Sequence, residues 1–175
     1  MLLHTQHHCW GITMHIKILG IIFEDFVNYK KPSMTIEFPY CTFKCNKDAN
    51  MEVCQNMILK DQPLIDIPVM DIAQKYIDNP ITKAIVYQGL EPFDSEEIYK
   101  LTSGLRCMTN DDIVIYTGYT EEELKMSGRL DRIMDEANTN LIIKFGRFIP
   151  NGTKHMDEIL GVELASENQY AKKLC

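Results

Sequence analysis

The sequence predicts an α/β fold organised around a mostly parallel sheet in a single domain. Strand-like and helix-like segments alternate along the chain, which is the order that right-handed βαβ units produce. The length of 175 residues suits one compact domain. Hydrophobic residues make up 45% and charged residues 25% of the chain, as in folded globular proteins rather than in disordered ones.

Charge and hydropathy exclude several classes of protein. The chain carries 18 Lys and Arg against 25 Asp and Glu, a net charge of −7, so it lacks the basic excess expected for binding nucleic acid or anionic lipid. No apolar run approaches the roughly 20 residues that span a bilayer. Since no signal-peptide pattern is present, we expect a cytoplasmic protein, whose clustered cysteines bind metal or act in catalysis. Residues 1–13 follow no period, and we expect a disordered or non-native leader before a domain at 14–175.

Two strands, a loop and a helix are predicted for the first half of the domain. Ile16–Phe23 is apolar and β-branched, which indicates one strand, and Ser33–Phe38 alternates with a period of two, which indicates another. Cys41–Asn56 is polar and cysteine-rich and is predicted to be a loop. After Pro68 the apolar residues recur at helical spacing, and this helix is expected to end before Pro80.

The next segment is predicted to form a strand, a turn and a helix. Ala84–Tyr87 is a short apolar run that leads into a turn containing glycine and proline. Asp94 or Ser95 is placed to cap the helix that follows. Its apolar face is formed by Ile98, Leu101 and Leu105.

The last third of the chain repeats this alternation. Asp112–Tyr116 is strand-like, and Thr120 with Glu123 forms a capping box at the start of one helix. Leu141–Phe145 is a further apolar strand. A short strand at Gly161–Leu164 and a terminal helix from Asn168 are expected to complete the domain. The apolar stripe of the capped helix consists of Leu130, Ile133, Met134 and Ala137.

The unusual motifs all follow predicted strands. In parallel sheets, ligands bind beyond the carboxyl ends of the strands. We therefore expect a functional site at that edge of the sheet. The segments that follow the strands are Cys41–Cys54, Gly89–Pro92, Thr117–Tyr119 and Gly146–Pro150.

Three cysteines lie in the loop after Ser33–Phe38, in the pattern Cys41-x3-Cys45-x8-Cys54. Thiolates are soft ligands that suit iron–sulfur or zinc chemistry. A structural zinc site closes with four ligands, and no histidine or fourth cysteine lies nearby in sequence. Three ligands therefore favour a cluster with one iron open to substrate, the alternative being incidental thiols in a loop.

The motifs YCTFKC…CQN, QGLEP and IYTGYTEEEL, in this order, resemble those of the small radical S-adenosylmethionine (SAM) activating enzymes. The likeness is to activases of anaerobic ribonucleotide reductase and other glycyl radical enzymes, and it extends from about Phe26 to about Leu174. The tail GRFIP…LGVELASENQ is similar to the closing segment of that family. The resemblance implies a partial, open parallel β/α barrel.

Specific site residues follow from this resemblance. The cysteines Cys41, Cys45 and Cys54 would ligate three irons of a [4Fe–4S] cluster, and the amino and carboxylate groups of SAM would chelate the fourth. Glycine at the start of the QGLEP turn would let the backbone approach the SAM methionine amine. The implied SAM contacts are Gly89, Leu90, Glu91 and Pro92 of this turn, Thr117, Gly118 and Tyr119 of the TGY segment, and Ser166 and Asn168 near the C-terminus.

The sequence departs from the family pattern at three points. The family has C-x3-C-x2-C, whereas eight residues separate Cys45 from Cys54 here. Extra loop residues cost little entropy, so the longer gap is compatible with cluster binding. Val53 stands where an aromatic residue usually precedes the third cysteine, and Leu90 replaces the second glycine of the family's GGEP turn.

The implied activity is reductive cleavage of SAM to form a 5′-deoxyadenosyl radical, which generates a glycyl radical on a partner enzyme. The expected partner is an anaerobic ribonucleoside-triphosphate reductase, with flavodoxin or ferredoxin as electron donor. Two alternatives remain: a small radical SAM protein acting on another peptide or small substrate, and a non-catalytic metal-binding module of the same fold.

Overall fold

A computed structural model describes residues 14–175, and the leader expected at 1–13 lies outside this range. The helices are α1 (Lys44–Ala49), α2 (Val69–Asp78), α3 (Glu97–Arg106), α4 (Glu121–Met126) and α5 (Arg129–Ala137). Single 3₁₀ turns cover Met57–Asp61 and Pro92–Asp94. The strands are β1 (His15–Ile18), β2 (Gly20–Asp25), β3 (Ser33–Phe38), β4 (Ile65–Pro68), β5 (Ala84–Gly89), β6 (Asp112–Tyr116), β7 (Leu141–Phe145), β8 (His155–Asp157), β9 (Val162–Leu164) and β10 (Tyr170–Lys173).

The domain is an α/β fold around a six-stranded mixed sheet, in the order β10-β7-β6-β5-β3-β2. The central strands β3, β5, β6 and β7 are parallel, whereas β2 and β10 pair antiparallel at the two edges. Two small antiparallel sheets, β1 with β4 and β8 with β9, lie beside it. The α/β class is confirmed, and the parallel pairings lie in the centre of the sheet. Over residues 14–175, every helix is too short or too polar to cross a bilayer.

The helices cover one face of the sheet. Each parallel strand is added on the same side of the previous one, so right-handed crossovers place all connecting helices on the same face. Alternate residues of each strand point to this face: in β6, Ile113 and Ile115 join the helices in the larger core cluster. Val114 between them points to the opposite face, where Leu160 and Leu164 cover it. Both faces of the central strands are therefore buried.

Most predicted elements are confirmed with small changes at their ends. The strands Ser33–Phe38, Asp112–Tyr116 and Leu141–Phe145 have the predicted bounds. The capping box is present, since the Thr120 side chain accepts from the Glu123 amide at 3.2 Å and the Glu123 carboxylate accepts from the Thr120 amide at 2.9 Å. The segment Cys41–Asn56, predicted to be a loop, contains one short helix, α1.

Three predicted elements are wrong. The apolar run Ile16–Phe23 is divided between β1 and β2, because β1 pairs with β4 while β2 pairs with β3 in a different sheet. The single helix after Thr120 is two helices, separated at Gly128, whose φ of 70° interrupts the right-handed helix. The segment after Asn168 is strand β10 instead of a helix, because it satisfies the hydrogen bonds at the free edge of β7.

Candidate functional site

The carboxyl ends of the parallel strands enclose one cavity of about 350 Å³. It lies where parallel sheets bind ligands, at the edge that the sequence predicted. Most of the predicted site residues contribute to its wall, and they come from three separate strand ends. Those that line it are Cys41, Cys45, Cys54, Gly89, Leu90, Glu91, Thr117 and Gly118.

The three cysteines are half-buried and interact with one another. The Cys45 thiol lies within hydrogen-bonding reach of Cys54, and the two influence each other's charge. Burial raises the pKa of Cys41 to about 12; the Phe43 amide, which donates to its sulfur at 3.2 Å, acts in the opposite direction. Burial and the neighbouring Cys54 also raise the pKa of Cys45. Binding of a metal by these thiols must therefore release protons.

The backbone is constrained where the chain enters the segment 41–54, here called the cysteine loop. Tyr40 has φ of 65° and Phe43 has φ of 51°, a left-handed conformation that bulky residues rarely adopt. Each such residue costs roughly 1–2 kcal/mol, so other contacts must hold it. The Glu91 amide donates to the Tyr40 carbonyl oxygen at 2.9 Å, and the Thr42 amide donates to the Asp94 carboxylate at 2.9 Å.

The long gap between Cys45 and Cys54 is taken up by α1. This helix ends at Asn50, which has φ of 50°, and the chain then turns back toward the cavity. The Asn46 side-chain oxygen accepts from the amides of both Val53 and Cys54, each at 2.9 Å. Asn46, in the first turn of α1, thus places Cys54 near Cys41 and Cys45 at the cavity wall.

The three cysteines are the candidate ligands at this cavity. Within residues 14–175, no three His, Cys, Asp or Glu side chains are positioned to hold one metal ion. The thiols of Cys41, Cys45 and Cys54 lie on the cavity wall, and thiolates are the ligand type that iron–sulfur clusters use.

Gly89 is required by the packing of the sheet itself. It has φ of 99°, and a Cβ atom there would lie 2.7 Å from the Phe38 amide nitrogen and 2.8 Å from its carbonyl oxygen. Close contact with β3 accounts for the glycine, which also lines the cavity. The ligand contact expected at Gly89 stays a prediction. The Asn56 side chain donates to the Gly89 carbonyl oxygen and so ties the chain after Cys54 to this turn.

Glu91 cross-links two of the strand ends. Its buried carboxylate accepts from the Thr117 hydroxyl at 2.7 Å, the Gly118 amide at 2.8 Å and the Phe93 amide at 3.2 Å. Burial raises the pKa of Glu91 to about 7, although these three donors act in the opposite direction. The carboxylate thereby fixes the TGY segment relative to the turn after β5, where Pro92 is also buried.

The remaining predicted residues lie at different distances from the cavity. Tyr119 lines a smaller adjoining pocket together with Cys41 and Cys45. Asn168 donates to the Arg147 carbonyl oxygen at 2.8 Å and lines a second cavity of about 670 Å³, which also reaches Cys45. Ser166 is fully buried, and its hydroxyl accepts from the Ile149 amide at 3.4 Å. It therefore holds the segment Gly146–Pro150 after β7 and does not line the cavity.

Sequence reasoning missed Lys144. This residue of β7 is 7% exposed and lines the cavity, where its ammonium donates to the Gly146 carbonyl oxygen at 2.8 Å. Burial lowers its pKa to about 8, and the negative charge of Glu91 acts in the opposite direction. The available signal was its position as the one charged residue in the apolar run LIIKF.

Arg147, also missed, connects the cysteine loop to α4. Its guanidinium lies 3.1 Å from the Asp48 carboxylate of α1 and 2.5 Å from the Glu123 carboxylate of α4. Lys44 of α1 binds the same Glu123 carboxylate. Partial burial of Glu123 works against ionisation, but Arg147 and Lys44 lower its pKa to about 2. These four side chains form an ion-pair network beside the cavity.

Comparisons of the chain with known protein families, with curated proteins and with solved structures find no match in any of the three.

Proposed function

We propose that this chain is a radical SAM enzyme that uses a [4Fe–4S] cluster to cleave SAM reductively and generate a glycyl radical on a partner enzyme. The partner we propose is an anaerobic ribonucleoside-triphosphate reductase, with flavodoxin or ferredoxin as electron donor, in the cytoplasm of an anaerobically growing cell. The fold type we propose is the open parallel β/α barrel of the small radical SAM activating enzymes.

The observation that carries the proposal is the convergence of three cysteine thiols on one cavity at the carboxyl ends of parallel strands. The placement of all crossover helices on one face of the sheet is also the arrangement expected of a barrel segment. Cys41, Cys45 and Cys54 would hold the cluster.

The charges of the cavity suit an amino acid ligand such as the methionine part of SAM. Glu91 and Lys144 are buried groups of opposite sign on the same wall. Lys144 donates to one carbonyl oxygen, which leaves ammonium protons for a ligand oxygen. Carbonyl oxygens of the turn that contains Gly89 and Leu90 are the acceptors we assign to the ligand's amine.

The proposed reaction needs one electron per SAM cleaved, and the donor protein, flavodoxin or ferredoxin, supplies it. A cluster held by Cys41, Cys45 and Cys54 would pass one electron from the donor protein to SAM, which would give methionine and a 5′-deoxyadenosyl radical. Transfer of a hydrogen atom from a glycine Cα of the partner would then give 5′-deoxyadenosine and the glycyl radical. The protein's own residues orient the ligand and exclude water from the cavity.

Anaerobic reconstitution with iron and sulfide tests this proposal. We expect a brown protein with about four irons per chain and, with a reductant and SAM, release of 5′-deoxyadenosine. Cys45→Ala should abolish both, whereas Cys175→Ala, which removes a thiol outside the cavity, should change neither. A colourless wild-type protein would refute the proposal and favour a non-catalytic metal-binding module.

Release of 5′-deoxyadenosine alone does not identify the substrate. Mixing with a candidate reductase and detecting its glycyl radical by electron paramagnetic resonance tests that part. SAM cleavage without a radical on any glycyl radical enzyme would favour the alternative of another peptide or small substrate.

A further inference from the structure

Asp94 makes one of the hydrogen bonds that hold the start of the cysteine loop, and we propose that it is a positioning residue for the Cys41 thiol. Its side chain is only 8% exposed, at the end of the 3₁₀ turn after β5. One carboxylate oxygen, Oδ2, accepts from the Thr42 amide at 2.9 Å. Thr42 directly follows Cys41, so this bond fixes the chain one residue from the thiol. The role as a cluster-positioning residue rests on the proposed function; the restraint on Cys41 does not.

The other carboxylate oxygen is held by two donors from different elements. Oδ1 accepts from the Tyr119 hydroxyl at 2.6 Å and from the Arg129 guanidinium at 3.4 Å. The Arg129 guanidinium also lies over the Tyr119 ring, 5.2 Å from its centroid. Asp94 is therefore oriented by the turn after β6 and by the first turn of α5. This leaves Oδ2 directed at the cysteine loop.

The loop needs this restraint because of its backbone conformation. The left-handed residues Tyr40 and Phe43 enclose Cys41 and Thr42. Such conformations persist only where the surroundings impose them. The Cys41 sulfur accepts from the Phe43 amide at 3.2 Å, so the direction of the thiol depends on the same backbone. Without the bond to Asp94, we expect the segment to relax and the thiol to leave the cavity wall.

Asp94 is not used to cap the next helix. The sequence predicted Asp94 or Ser95 as the cap of α3, but the N-cap residue is Glu96, whose side chain makes no capping hydrogen bond. The Ser95 hydroxyl accepts from the Glu97 amide at 3.2 Å. The bonds of Asp94 go instead to the cysteine loop, Tyr119 and Arg129, and none of them serves α3.

Alkylation of single cysteines in the reduced, metal-free protein tests the proposal. The rates at Cys41 and Cys54 are measured by peptide mass spectrometry, and Cys54 is the internal reference because Asn46 holds its backbone. In Asp94→Ala we expect the Cys41-to-Cys54 rate ratio to rise about tenfold, the factor for losing one charge-assisted hydrogen bond. Asp94→Asn keeps an acceptor oxygen and should give a smaller rise.

The matched control is Glu96→Ala. Glu96 lies two residues further along and pairs with Arg132 on the surface, so its loss should leave the ratio unchanged. A ratio in Asp94→Ala equal to the wild-type ratio would overturn the proposal, as would the same rise in Glu96→Ala. If circular dichroism shows that Asp94→Ala does not fold, amide hydrogen exchange at Thr42 in Asp94→Asn decides, because it does not depend on the Cys41 pKa, which the Asp94 charge also raises. Faster exchange than in the wild type supports the role, and unchanged exchange refutes it.

Iron content separates this proposal from the proposed function. If wild-type protein binds iron and sulfide, reconstituted Asp94→Ala should hold less than the wild type and Glu96→Ala the same amount. If the wild type binds none, the proposed function fails, while the alkylation ratio still reports whether Asp94 restrains Cys41.

Discussion

Replacement of Gly89 by alanine should destabilise the protein more than either of two other glycine replacements in the same chain. A Cβ atom at position 89 would lie 2.7 Å from the Phe38 amide nitrogen, and the residue has φ of 99°. The positive φ costs about 1–2 kcal/mol, and forcing an atom into close-packed backbone costs about 1–3 kcal/mol more. We therefore expect Gly89→Ala to lower the free energy of unfolding by about 2–5 kcal/mol.

Two control glycines separate these contributions. Gly128 has φ of 70° but nothing within 4 Å of its Cβ position, so Gly128→Ala should cost only the backbone part. Gly118 lies on the cavity wall, and the nearest atoms to its Cβ position are at 3.6 Å, so Gly118→Ala should change stability by less than about 0.5 kcal/mol.

Urea unfolding followed by circular dichroism measures all three variants. The expected order of destabilisation is Gly89→Ala, then Gly128→Ala, then Gly118→Ala. If Gly89→Ala were no less stable than Gly128→Ala, the argument from close contact with β3 would be wrong. The glycine would then need another explanation, such as approach of a ligand.

Three further predictions concern side chains around the cavity. Lys144→Met should stabilise the metal-free protein at pH 7 by about 3 kcal/mol, because burial lowers the lysine pKa from 10.5 to about 8. Urea unfolding at a series of pH values should show that the wild type gains stability between about pH 8 and 10.5. The variant should show no such gain. Arg147→Met should speed amide hydrogen exchange in residues 44–49 several-fold by breaking the ion-pair network. Asn46→Ala should reduce iron content after reconstitution, because Cys54 loses its tie to α1.

Each of these predictions has an outcome that would contradict it, and two of the variants have a matched control. For Lys144→Met, parallel stability curves of the two proteins above pH 8 would contradict the predicted pKa effect. Arg132→Met breaks a surface pair with Glu96 and should leave exchange in residues 44–49 unchanged; equal acceleration by both variants would rule out a specific role for the network. Asn46→Asp keeps the accepting oxygen and should retain iron, and equal loss in Asp and Ala variants would contradict the hydrogen-bond argument.

Local patterns predicted the elements that carry the site. β3, β6 and β7 are recognisable because their apolar, β-branched residues are bounded by turn signals, and the alternation of elements requires their carboxyl ends to meet. The capping box at Thr120 is likewise a local signal. The meeting of the three cysteines with Glu91 at one cavity followed from this topology.

Features that depend on distant partners were missed. The run Ile16–Phe23 has one pattern, but its two halves pair with different strands. The polar segment Tyr170–Lys173 is a strand only because β7 offers it a free edge. The bonds of Asp94 go to Thr42, Tyr119 and Arg129, which lie far from it along the chain, so no local pattern could have assigned its role.

The way Asn46 closes the cysteine loop has a consequence for motif searches. The number of residues between Cys45 and Cys54 does not fix the distance between their thiols. The extra residues form α1, and the Asn46 side chain binds the amides of Val53 and Cys54, which brings the chain back toward Cys45. Patterns written with one permitted gap will overlook chains that bring two cysteines together by this route. A search that allows a helical turn followed by an Asn-anchored return would recover them.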